Sequence, residues 1–358
     1  MREEAPQKPR SRRSEGTRQD LRPPLPWSGD MRILSIDGGG IRGILPAAVL
    51  ALCEDRFCNG RSAGESFDYL AGTSTGGIIA LGLSIGFRAK DILAIYMEHG
   101  SEIFPPCRQY RSRTLRRIQS SWHFLRNLNR YKYEREALRR NLFDTFGERL
   151  LGHAERRLVI PSFDEYNEVH LFKTPHHGDY QRDWKEKMID VALSTSAAPT
   201  FFSTYRNGDR HFADGGVWAN NPIMTALVDA MACYDVDRRD VRILSLGCIE
   251  SDFAFTEHQM TKGGIWHWKE IISSAMRLQS QNALGQAALL IGRDHLLRVD
   301  GEPMQDAIEL DDYRRAASEL PKIAEQLVDL HRERLAEFFS EPRLPFNAFH
   351  GPRRMSDV

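Results

Sequence analysis

The residues with the clearest chemical meaning are a serine and the two glycines that flank it, in the stretch Gly72-Thr73-Ser74-Thr75-Gly76. One apolar run, Phe67 to Ala71, precedes the stretch, and a second, Ile78 to Leu83, follows it. This is the sequence form of a nucleophile elbow, in which a sharp strand-to-helix turn exposes a serine hydroxyl for attack on an ester. The glycines remove Cβ atoms that would collide at such a turn. The N–H groups of the following helix would face the negative charge that develops in the transition state.

A glycine cluster near the start of the chain offers a second part of such a site. The stretch Asp37-Gly38-Gly39-Gly40-Ile41-Arg42-Gly43 follows the short apolar run Ile33 to Ile36. Successive glycines let several backbone N–H groups converge on one oxygen, which is the arrangement of an oxyanion hole. Arg42 either adds positive charge there or holds the loop by pairing with a carboxylate.

The same cluster also satisfies a dinucleotide-binding fingerprint, because Gly38, Gly40 and Gly43 have G-x-G-x-x-G spacing between a strand pattern and a helix pattern. Glu65 lies at about the distance expected of the ribose-binding acid, but it sits in a polar stretch and not at a clear strand end. In this alternative the chain is a Rossmann-like nucleotide-binding module without hydrolase activity, and Ser74 only caps a helix. A P-loop is excluded because the chain contains no Gly-Lys dipeptide.

The third element is Asp214-Gly215-Gly216, which is followed by Asn220-Asn221-Pro222 and an apolar helix pattern. Asp-Gly-Gly alone is a turn signal. Beside an elbow serine, however, an aspartate can act as the general base if burial raises the carboxyl pKa toward neutrality. A Ser-Asp-His triad is the competing mechanism. Its candidate histidines, which all follow Asp214, are His258, His267, His295, His331 and His350.

In this order the three motifs resemble those of the patatin-like phospholipase family, which carries a DGGGxRG oxyanion loop, a GxSxG elbow and a DGG or DGA aspartate. Here they read DGGGIRG, GTSTG and DGG, and the resemblance covers about residues 31–230. It implies a three-layer α/β fold with helices on both faces of a mainly parallel central sheet. It also implies a phospholipase that needs no metal ion, with Ser74 as nucleophile and Asp214 as base. The other motif residues would be Gly38, Gly39, Gly40 and Arg42 in the oxyanion loop, and Gly43, Gly72, Gly76, Gly215 and Gly216 in the supporting turns.

A looser likeness concerns the run QSQNALGQAALLIGRDHLLRV at residues 279–299, which is similar to bacterial patatin-like effectors of the cyclic-nucleotide anti-phage (CBASS) systems. It implies a phospholipase that stays inactive until a cyclic dinucleotide, such as cyclic GMP-AMP, binds to it. The partners implied are membrane phospholipids and that nucleotide, with no nucleic acid. A homo-oligomer is also expected. A constitutive patatin-like lipase or esterase is the alternative within the family.

Alternating strand and helix patterns predict a mainly parallel sheet covered on both faces. The predicted strands are 33–36, 69–72, 157–163, 169–174, 241–246 and 295–299. The predicted helices are 45–57, 78–85, 90–98, 134–146, 187–195, 223–234 and 312–339. The helical spacing of apolar residues between 265 and 299, which include Trp266, Trp268, Met276 and Leu289 to Ile291, favours core packing.

The resemblance and the composition together imply four segments along the chain, with an insertion in the second. Residues 1–30 are polar and rich in Arg and Pro, which favours a disordered leader. Residues 31–230 form the catalytic domain, 231–345 an α/β elaboration packed on it, and 346–358 a tail. An insertion at about 101–140 is basic and aromatic, which is typical of a solvated face, of a surface that docks on anionic lipid, or of a pocket for a phosphate-bearing ligand. We expect a lipid-facing lid between Phe104 and Arg140.

The cysteine pattern and the apolar runs bear on location. The five cysteines form no C-x-x-C pair, which favours reduced, mostly buried thiols in a cytoplasmic protein over disulfides or a zinc site. The doublet His176-His177 lacks a companion at metal-ligand spacing. The longest apolar run, 76–87, is too short to span a bilayer and predicts a buried helix. We therefore expect the active protein to associate with the inner face of the cell membrane from the aqueous side.

Overall fold

A computed structural model of the chain describes residues 23–103, 135–199, 201–249, 271–303 and 308–354. Most of its strands lie in one sheet, and helices cover both faces of that sheet. The strands are β1 (Leu25–Pro26), β2 (Met31–Ile36), β3 (Tyr69–Gly72), β4 (Arg157–Asp164), β5 (Val169–Lys173), β6 (Tyr205–Asn207), β7 (Arg210–Asp214), β8 (Tyr234–Asp235), β9 (Val241–Leu246) and β10 (Leu296–Val299). The helices are α1 (Ile44–Phe57), α2 (Thr75–Ser84), α3 (Ala89–Ile103), α4 (Glu136–Phe146), α5 (Met188–Thr195), α6 (Gly216–Ala219), α7 (Ile223–Cys233), α8 (Ile271–Ile291), α9 (Tyr313–Leu330) and α10 (Arg332–Phe339).

The central sheet is mainly parallel, as predicted. Within the described residues its order is β10-β9-β2-β3-β4-β7-β6, and β5 also pairs with β4. Strands β10, β9, β2, β3 and β4 run parallel, whereas β5 and β7 are antiparallel to β4, and β6 is antiparallel to β7. Every residue of β2 and β3 is buried, which explains why their sequences are short and almost entirely apolar.

Alternate residues of the central strands face two different cores. In β2, Leu34 and Ile36 pack into a large cluster with α1, α2, α3, α5 and α9. Met31 and Ile33 point to the opposite face and pack against α7 and α8. This alternation is the two-residue period of a strand, and it produces the predicted three-layer arrangement.

The predicted strands and helices of the core all form, and the main misses lie where long-range packing decides the structure. The hairpin of β6 and β7 was not predicted, because its strands are short and partly exposed. The single long helix predicted at 312–339 is two helices, α9 and α10, which meet at His331. Phe338 and Phe339 of α10 stack against Phe67 and Phe57, so tertiary packing sets the direction of α10.

Residues 23–30, which belong to the segment predicted as a disordered leader, include the short strand β1. β1 pairs in parallel with β8 through Leu25 and Pro26. The Trp27 ring meets the Tyr234 ring edge-on, and the Arg157 guanidinium lies 5.0 Å from the centre of the Trp27 ring. Residues 1–22 lie outside the described residues.

The structure describes most of the predicted segment 231–345 and little of the predicted segment 101–140. β9 and β10 are strands of the central sheet, so the C-terminal third of the chain completes the sheet as well as packing on it. The basic aromatic segment and the lid predicted within it lie outside the described residues except at 101–103 and 135–140. In the described part, Arg135 donates hydrogen bonds to the carbonyls of Ser203 and Thr204 and lies over the Tyr205 ring.

A buried polar network gives His176 the companions that sequence spacing did not reveal. The ligand atoms of His176, Asp229 and Cys233 lie within 4.8 Å of one another. Asp229 also contacts the ammonium of Lys173 at 2.5 Å and accepts a hydrogen bond from Tyr180 at 2.5 Å. Although burial acts to raise it, the pKa of Asp229 is held well below its usual value by His176 and Lys173. These contacts satisfy the carboxylate and join β5 to α7.

Candidate active site

Ser74 lies at the turn between β3 and α2, where its backbone has φ of 56° and ψ of −123°. This left-handed region costs a non-glycine residue about 1–3 kcal/mol, so the surrounding fold must hold the turn in place. The Ser74 N–H donates to Thr195 Oγ1 at 3.1 Å, and that hydroxyl donates to the Pro161 carbonyl at 2.6 Å. The Ser74 side chain makes no helix-capping hydrogen bond. The nucleotide-binding alternative requires this hydroxyl to cap the helix, and it does not cap the helix.

The elbow glycines permit a very close approach of backbone segments. A Cβ on Gly72 would lie 2.1 Å from the Gly76 carbonyl oxygen, and a Cβ on Gly76 would lie 2.4 Å from the Ile36 carbonyl oxygen. Real Cβ atoms do not make such contacts, so the turn can form only with glycine at both positions. Gly43 lies against the Thr75 side chain, where a Cβ would be 3.1 Å from Thr75 Oγ1.

Asp214 reaches Ser74 because of the register of three strands. β4 pairs with β3 through Val159 but continues to Asp164. β7 runs back along this extension and pairs Asp214 with Ser162, beyond the carboxyl end of β3. The Ser74 side chain faces the Asp214 carboxylate closely enough to lower the pKa of that carboxyl. The sheet therefore brings together two residues that are far apart in the sequence.

Burial makes the Asp214 carboxyl a base that works near neutrality. Only 5% of Asp214 is exposed. Burial raises its pKa to about 6, although the Ser74 side chain and the Gly216 N–H both act to lower it. The Gly216 N–H lies 2.7 Å from Asp214 Oδ1, and Gly215 packs on the Pro161 carbonyl, where a Cβ would be 2.4 Å from the oxygen. A carboxylate with this pKa accepts a serine proton more readily than an exposed one.

In the run of three glycines after β2, one N–H group bonds within the protein and two others have no acceptor among the described residues. Gly38 N–H donates to the Asn220 carbonyl at 3.0 Å, so this amide stabilises the loop and already has an acceptor. In the part of the chain that the structure describes, the N–H groups of Gly39 and Gly40 have no acceptor. Both glycines line the cavity beside Ser74. Gly39 and Gly40 are thus the candidate oxyanion donors.

Arg42 and Asp37 hold this loop from outside the cavity. Arg42 donates to the Ile249 carbonyl at 2.7 Å, which ties the loop to the segment after β9. Asp37 makes a two-pronged ion pair with Arg298 of β10, at 2.7 and 3.0 Å, and Arg298 also contacts Asp300. Of the two roles predicted for Arg42, these contacts favour holding the loop, with a carbonyl as one of its partners.

The residues of the dyad open onto an apolar cavity of about 420 Å³. Ser74, Asp214 and Asn220 provide polar groups on one side, and most of the remaining lining is aliphatic or aromatic. The apolar lining consists of Ile78, Tyr96, Ile103, Leu138, Phe163, Ala198, Pro199, Phe201, Phe202, Val217, Met276 and Leu310. A site with a few convergent polar groups in an apolar cleft fits a ligand with a reactive polar group and a long apolar part.

Two alternatives for the site were left open by the sequence: a dinucleotide-binding site and a Ser-Asp-His triad. Glu65 accepts a hydrogen bond from the Ser62 N–H in a local capping box, so it does not stand at a strand end as a ribose-binding acid would. Across the described ranges, no histidine lines the cavity. His258 and His267 lie outside those ranges. His350 contacts the Gly178 carbonyl, away from the cavity.

Sequence reasoning missed three residues that shape the site. Thr195 supports the Ser74 backbone, Arg298 anchors Asp37, and Asn220 lines the cavity. Thr195 and Asn220 are each more than 100 residues from Ser74, and Arg298 is more than 100 residues from Asp37, so no local pattern reveals these pairings. Met276, which was expected in the core, also lines the cavity, and Leu289 is 87% exposed and not buried as expected.

A strand-turn-helix serine beside a buried aspartate, with free backbone N–H groups opposite, defines the class of serine hydrolases. The patatin-like phospholipase family model matches residues 34–227, which is more than half of the chain. The chain belongs to the patatin-like phospholipase family, and it is a lipid acyl hydrolase by that membership.

Three curated relatives resemble the chain over most of its length. A cGAMP-activated phospholipase from Escherichia coli strain TW11681 is 30% identical over 88% of this chain and 94% of its own. A cGAMP-activated phospholipase from Vibrio cholerae serotype O1 is 30% identical, over 88% of this chain and 96% of its own. A third, from Pseudomonas aeruginosa strain BWHPSA011, is 31% identical over 71% of this chain and 74% of its own.

The described cysteines and helices bear on two further predictions. Cys53, Cys58, Cys233 and Cys248 are buried free thiols, as expected, and Cys107 lies outside the described residues. The apolar run at 76–87 forms the buried helix α2, as predicted. Among the helices that the structure describes, none combines the length and apolar character needed to cross a bilayer.

Proposed function

We propose that this protein hydrolyses membrane phospholipids through a Ser74-Asp214 dyad and that a cyclic dinucleotide switches the activity on. The observation that carries the proposal is that strained Ser74 and buried Asp214 lie together at the polar side of an apolar cavity of about 420 Å³. A dyad of this kind needs no histidine, because the aspartate itself both accepts and returns the proton.

The reaction runs in two steps. Ser74 Oγ attacks the ester carbonyl carbon while Asp214 takes its proton, and the N–H groups of Gly39 and Gly40 stabilise the negative oxygen. The tetrahedral intermediate collapses, and Asp214 gives the proton to the leaving lysolipid. Water then attacks the acyl-enzyme, gives a proton to Asp214, and releases the fatty acid as Ser74 regains its hydrogen.

The lining of the cavity supports a lipid acyl chain as the substrate group. A fatty acyl chain binds by burial of its CH₂ groups, each worth about 0.8 kcal/mol. Val217 lines the cavity and is 42% exposed, so the apolar lining continues to the surface of the protein. This continuity favours entry of a lipid from a membrane that the protein approaches from the aqueous, cytoplasmic side.

Activation by a cyclic dinucleotide is supported by the relatives. The names of the three relatives above describe phospholipases activated by cGAMP, and two of them align over nearly the whole chain. We infer the same class of activator here, with cyclic GMP-AMP as the first candidate. Association as a homo-oligomer and the absence of nucleic-acid binding remain predictions from the sequence.

The experiment is a measurement of fatty-acid release from vesicles of phosphatidylethanolamine and phosphatidylglycerol. Wild type and Ser74→Ala are each measured alone and with a panel of cyclic dinucleotides. We expect release by wild type with one nucleotide of the panel and none by Ser74→Ala under any condition.

Three other results have distinct meanings. Full activity without nucleotide, with no binding or acceleration by any member of the panel, would remove the regulation and leave a constitutive phospholipase. Equal release by wild type and Ser74→Ala, or no lipolysis at all, would contradict the dyad and the substrate class respectively.

A further inference from the structure

We propose that the side-chain carboxamide of Asn220 holds the water that hydrolyses the acyl-enzyme. The inference rests on the hydrolase function proposed above and concerns its second step. Asn220 lines the cavity with Ser74 and Asp214 and is only 8% exposed. Its Oδ1 atom is fully enclosed, yet it accepts no hydrogen bond from any residue that the structure describes.

The backbone carbonyl and the side-chain nitrogen of Asn220 both have partners. The Asn220 carbonyl accepts from the Gly38 N–H at 3.0 Å, and the preceding carbonyl, of Ala219, accepts from Thr73 Oγ1 at 2.6 Å. Asn220 Nδ2 donates to Ser280 Oγ of α8 at 3.4 Å. These contacts hold the residue in place, and its Oδ1 has no partner among the described residues. A buried acceptor without a partner destabilises a fold, so its position in a residue that lines the cavity points to a ligand that bonds to it during function.

The free oxygen lies beside both members of the dyad. A Cβ on Gly216 would lie 3.0 Å from Asp214 Oδ1 and 3.3 Å from Asn220 Oδ1, so the two oxygens flank the same point. A Cβ on Gly38 would lie 2.7 Å from Asn220 Oδ1 and 3.4 Å from Ser74 Cβ. Asn220 Oδ1 thus shares the immediate surroundings of the nucleophile and the base.

The chemistry of deacylation requires a second acceptor in this place. The attacking water gives one proton to Asp214, and its oxygen bonds to the acyl carbon. The bond from that carbon to Ser74 Oγ then breaks, and Asp214 returns the proton to Ser74. The other hydrogen of this water points into a largely apolar cavity throughout the step, unless an acceptor forms a hydrogen bond with it. Asn220 Oδ1 provides that acceptor and fixes the direction of attack.

An amide suits this position better than a carboxylate. The groups that contact the Asp214 carboxylate are the Ser74 hydroxyl and the Gly216 N–H, both uncharged. A second negative charge beside it would raise the Asp214 pKa further, so a smaller fraction of Asp214 would be ionised near neutrality. Asn220→Asp therefore keeps the acceptor for water but shifts the rise of activity to higher pH.

The test separates the two steps with a soluble p-nitrophenyl ester of a medium-chain fatty acid, mixed rapidly with the protein in the presence of cyclic GMP-AMP. For Asn220→Ala we expect acylation within about threefold of wild type and deacylation about 10- to 100-fold slower. The variant should then release a burst of about one p-nitrophenol per site, and intact-mass spectra should show acylated Ser74. For Asn220→Asp we expect deacylation faster than in the alanine variant and a pH profile moved upward.

The matched control is Gln279→Ala, which removes a neighbouring α8 side chain that bonds the Asn221 backbone but does not line the cavity. It should leave the ratio of the two rate constants unchanged. If Asn220→Ala lowers the acylation and deacylation rate constants equally, or lowers neither, the inference is wrong. Turnover by wild type would still support the proposed hydrolase function in that case. If wild type itself does not turn over the ester or any lipid, the failure belongs to the proposed function. Should the alanine variant not fold, an unshifted pH profile in Asn220→Asp contradicts the inference.

Discussion

At the scale of single residues, the site depends on two groups held in conditions that cost stability. Ser74 occupies a backbone region that disfavours a side chain, and Asp214 is a carboxyl removed from water. Both costs serve the proposed chemistry, because the strained turn exposes the hydroxyl and burial raises the pKa of the base. Sequence could identify both residues from their motifs, but their proximity in the fold depends on the register of β4 and β7.

The pH dependence of activity should follow the Asp214 carboxyl. Its pKa is raised to about 6, and only the ionised form accepts the serine proton. We expect kcat/KM to rise about tenfold per pH unit below pH 6 and to level off above it. A steady-state profile on a soluble ester between pH 4.5 and 8.5 measures this. A profile that is already flat at pH 5 would show that the base has an ordinary carboxyl pKa.

Asp214→Asn should stabilise the protein while removing its activity. Because burial raises the Asp214 pKa in the folded state from 3.8 to about 6, folding favours the protonated carboxyl. The ionised group therefore costs about 3 kcal/mol once the pH exceeds 6, and this cost fades below pH 4. Thermal unfolding should give Asp214→Asn a higher Tm than wild type at pH 8 and a much smaller difference at pH 4. An equal difference at both pH values would contradict the raised pKa.

At the scale of elements, the loop after β2 determines which N–H groups reach the substrate. The Gly38 amide is consumed by Asn220, so the glycine run offers Gly39 and Gly40 and not all three glycines. The sequence indicated an oxyanion loop but could not divide these roles, since the division depends on Asn220, which lies on a distant segment. The sequence likewise did not predict the β6–β7 hairpin that carries Asp214, because its short, partly exposed strands lack a strong apolar pattern.

Gly39→Ala should impair the oxyanion loop while leaving the dyad intact. A Cβ there would lie 2.5 Å from Cys248 Cβ, so the loop must move and carry its N–H groups out of position. We expect kcat to fall about 100-fold or more, with little change in the pH profile. Gly285→Ala is the matched control, because a Cβ at that position in α8 meets nothing within 4 Å. It should keep full activity, and equal losses in the two variants would contradict the role of the loop.

At the scale of the whole molecule, the C-terminal third of the chain completes the sheet and braces the catalytic loop. β9 pairs with β2 along its entire length, and Arg298 of β10 holds Asp37 at the start of the glycine loop. Apolar periodicity predicted these strands, but nothing in the sequence joins Arg298 to Asp37 across 261 residues. The fold was therefore more predictable than the contacts between distant segments that support the site.

Arg298→Leu should destabilise the whole protein because it leaves the Asp37 carboxyl buried without its partner. Loss of one member of a buried pair costs about 3 kcal/mol or more. Urea unfolding should show this loss in the free energy of unfolding, with a matching fall in activity. Arg239→Leu is the control, since its ion pair with Asp237 is exposed and should contribute nothing measurable. If both variants unfold at the same urea concentration, Arg298 does not brace the loop.

The most direct test of the central claim is covalent trapping of the nucleophile by a long-chain alkyl fluorophosphonate, with the adduct located by mass spectrometry of peptides. The account predicts one adduct per wild-type chain, on Ser74, none on Ser74→Ala, and labelling at least about 100-fold slower in Asp214→Asn. The measurement includes the nucleotide that activates lipolysis. An adduct on another residue, or unchanged labelling in Asp214→Asn, would contradict the Ser74-Asp214 dyad.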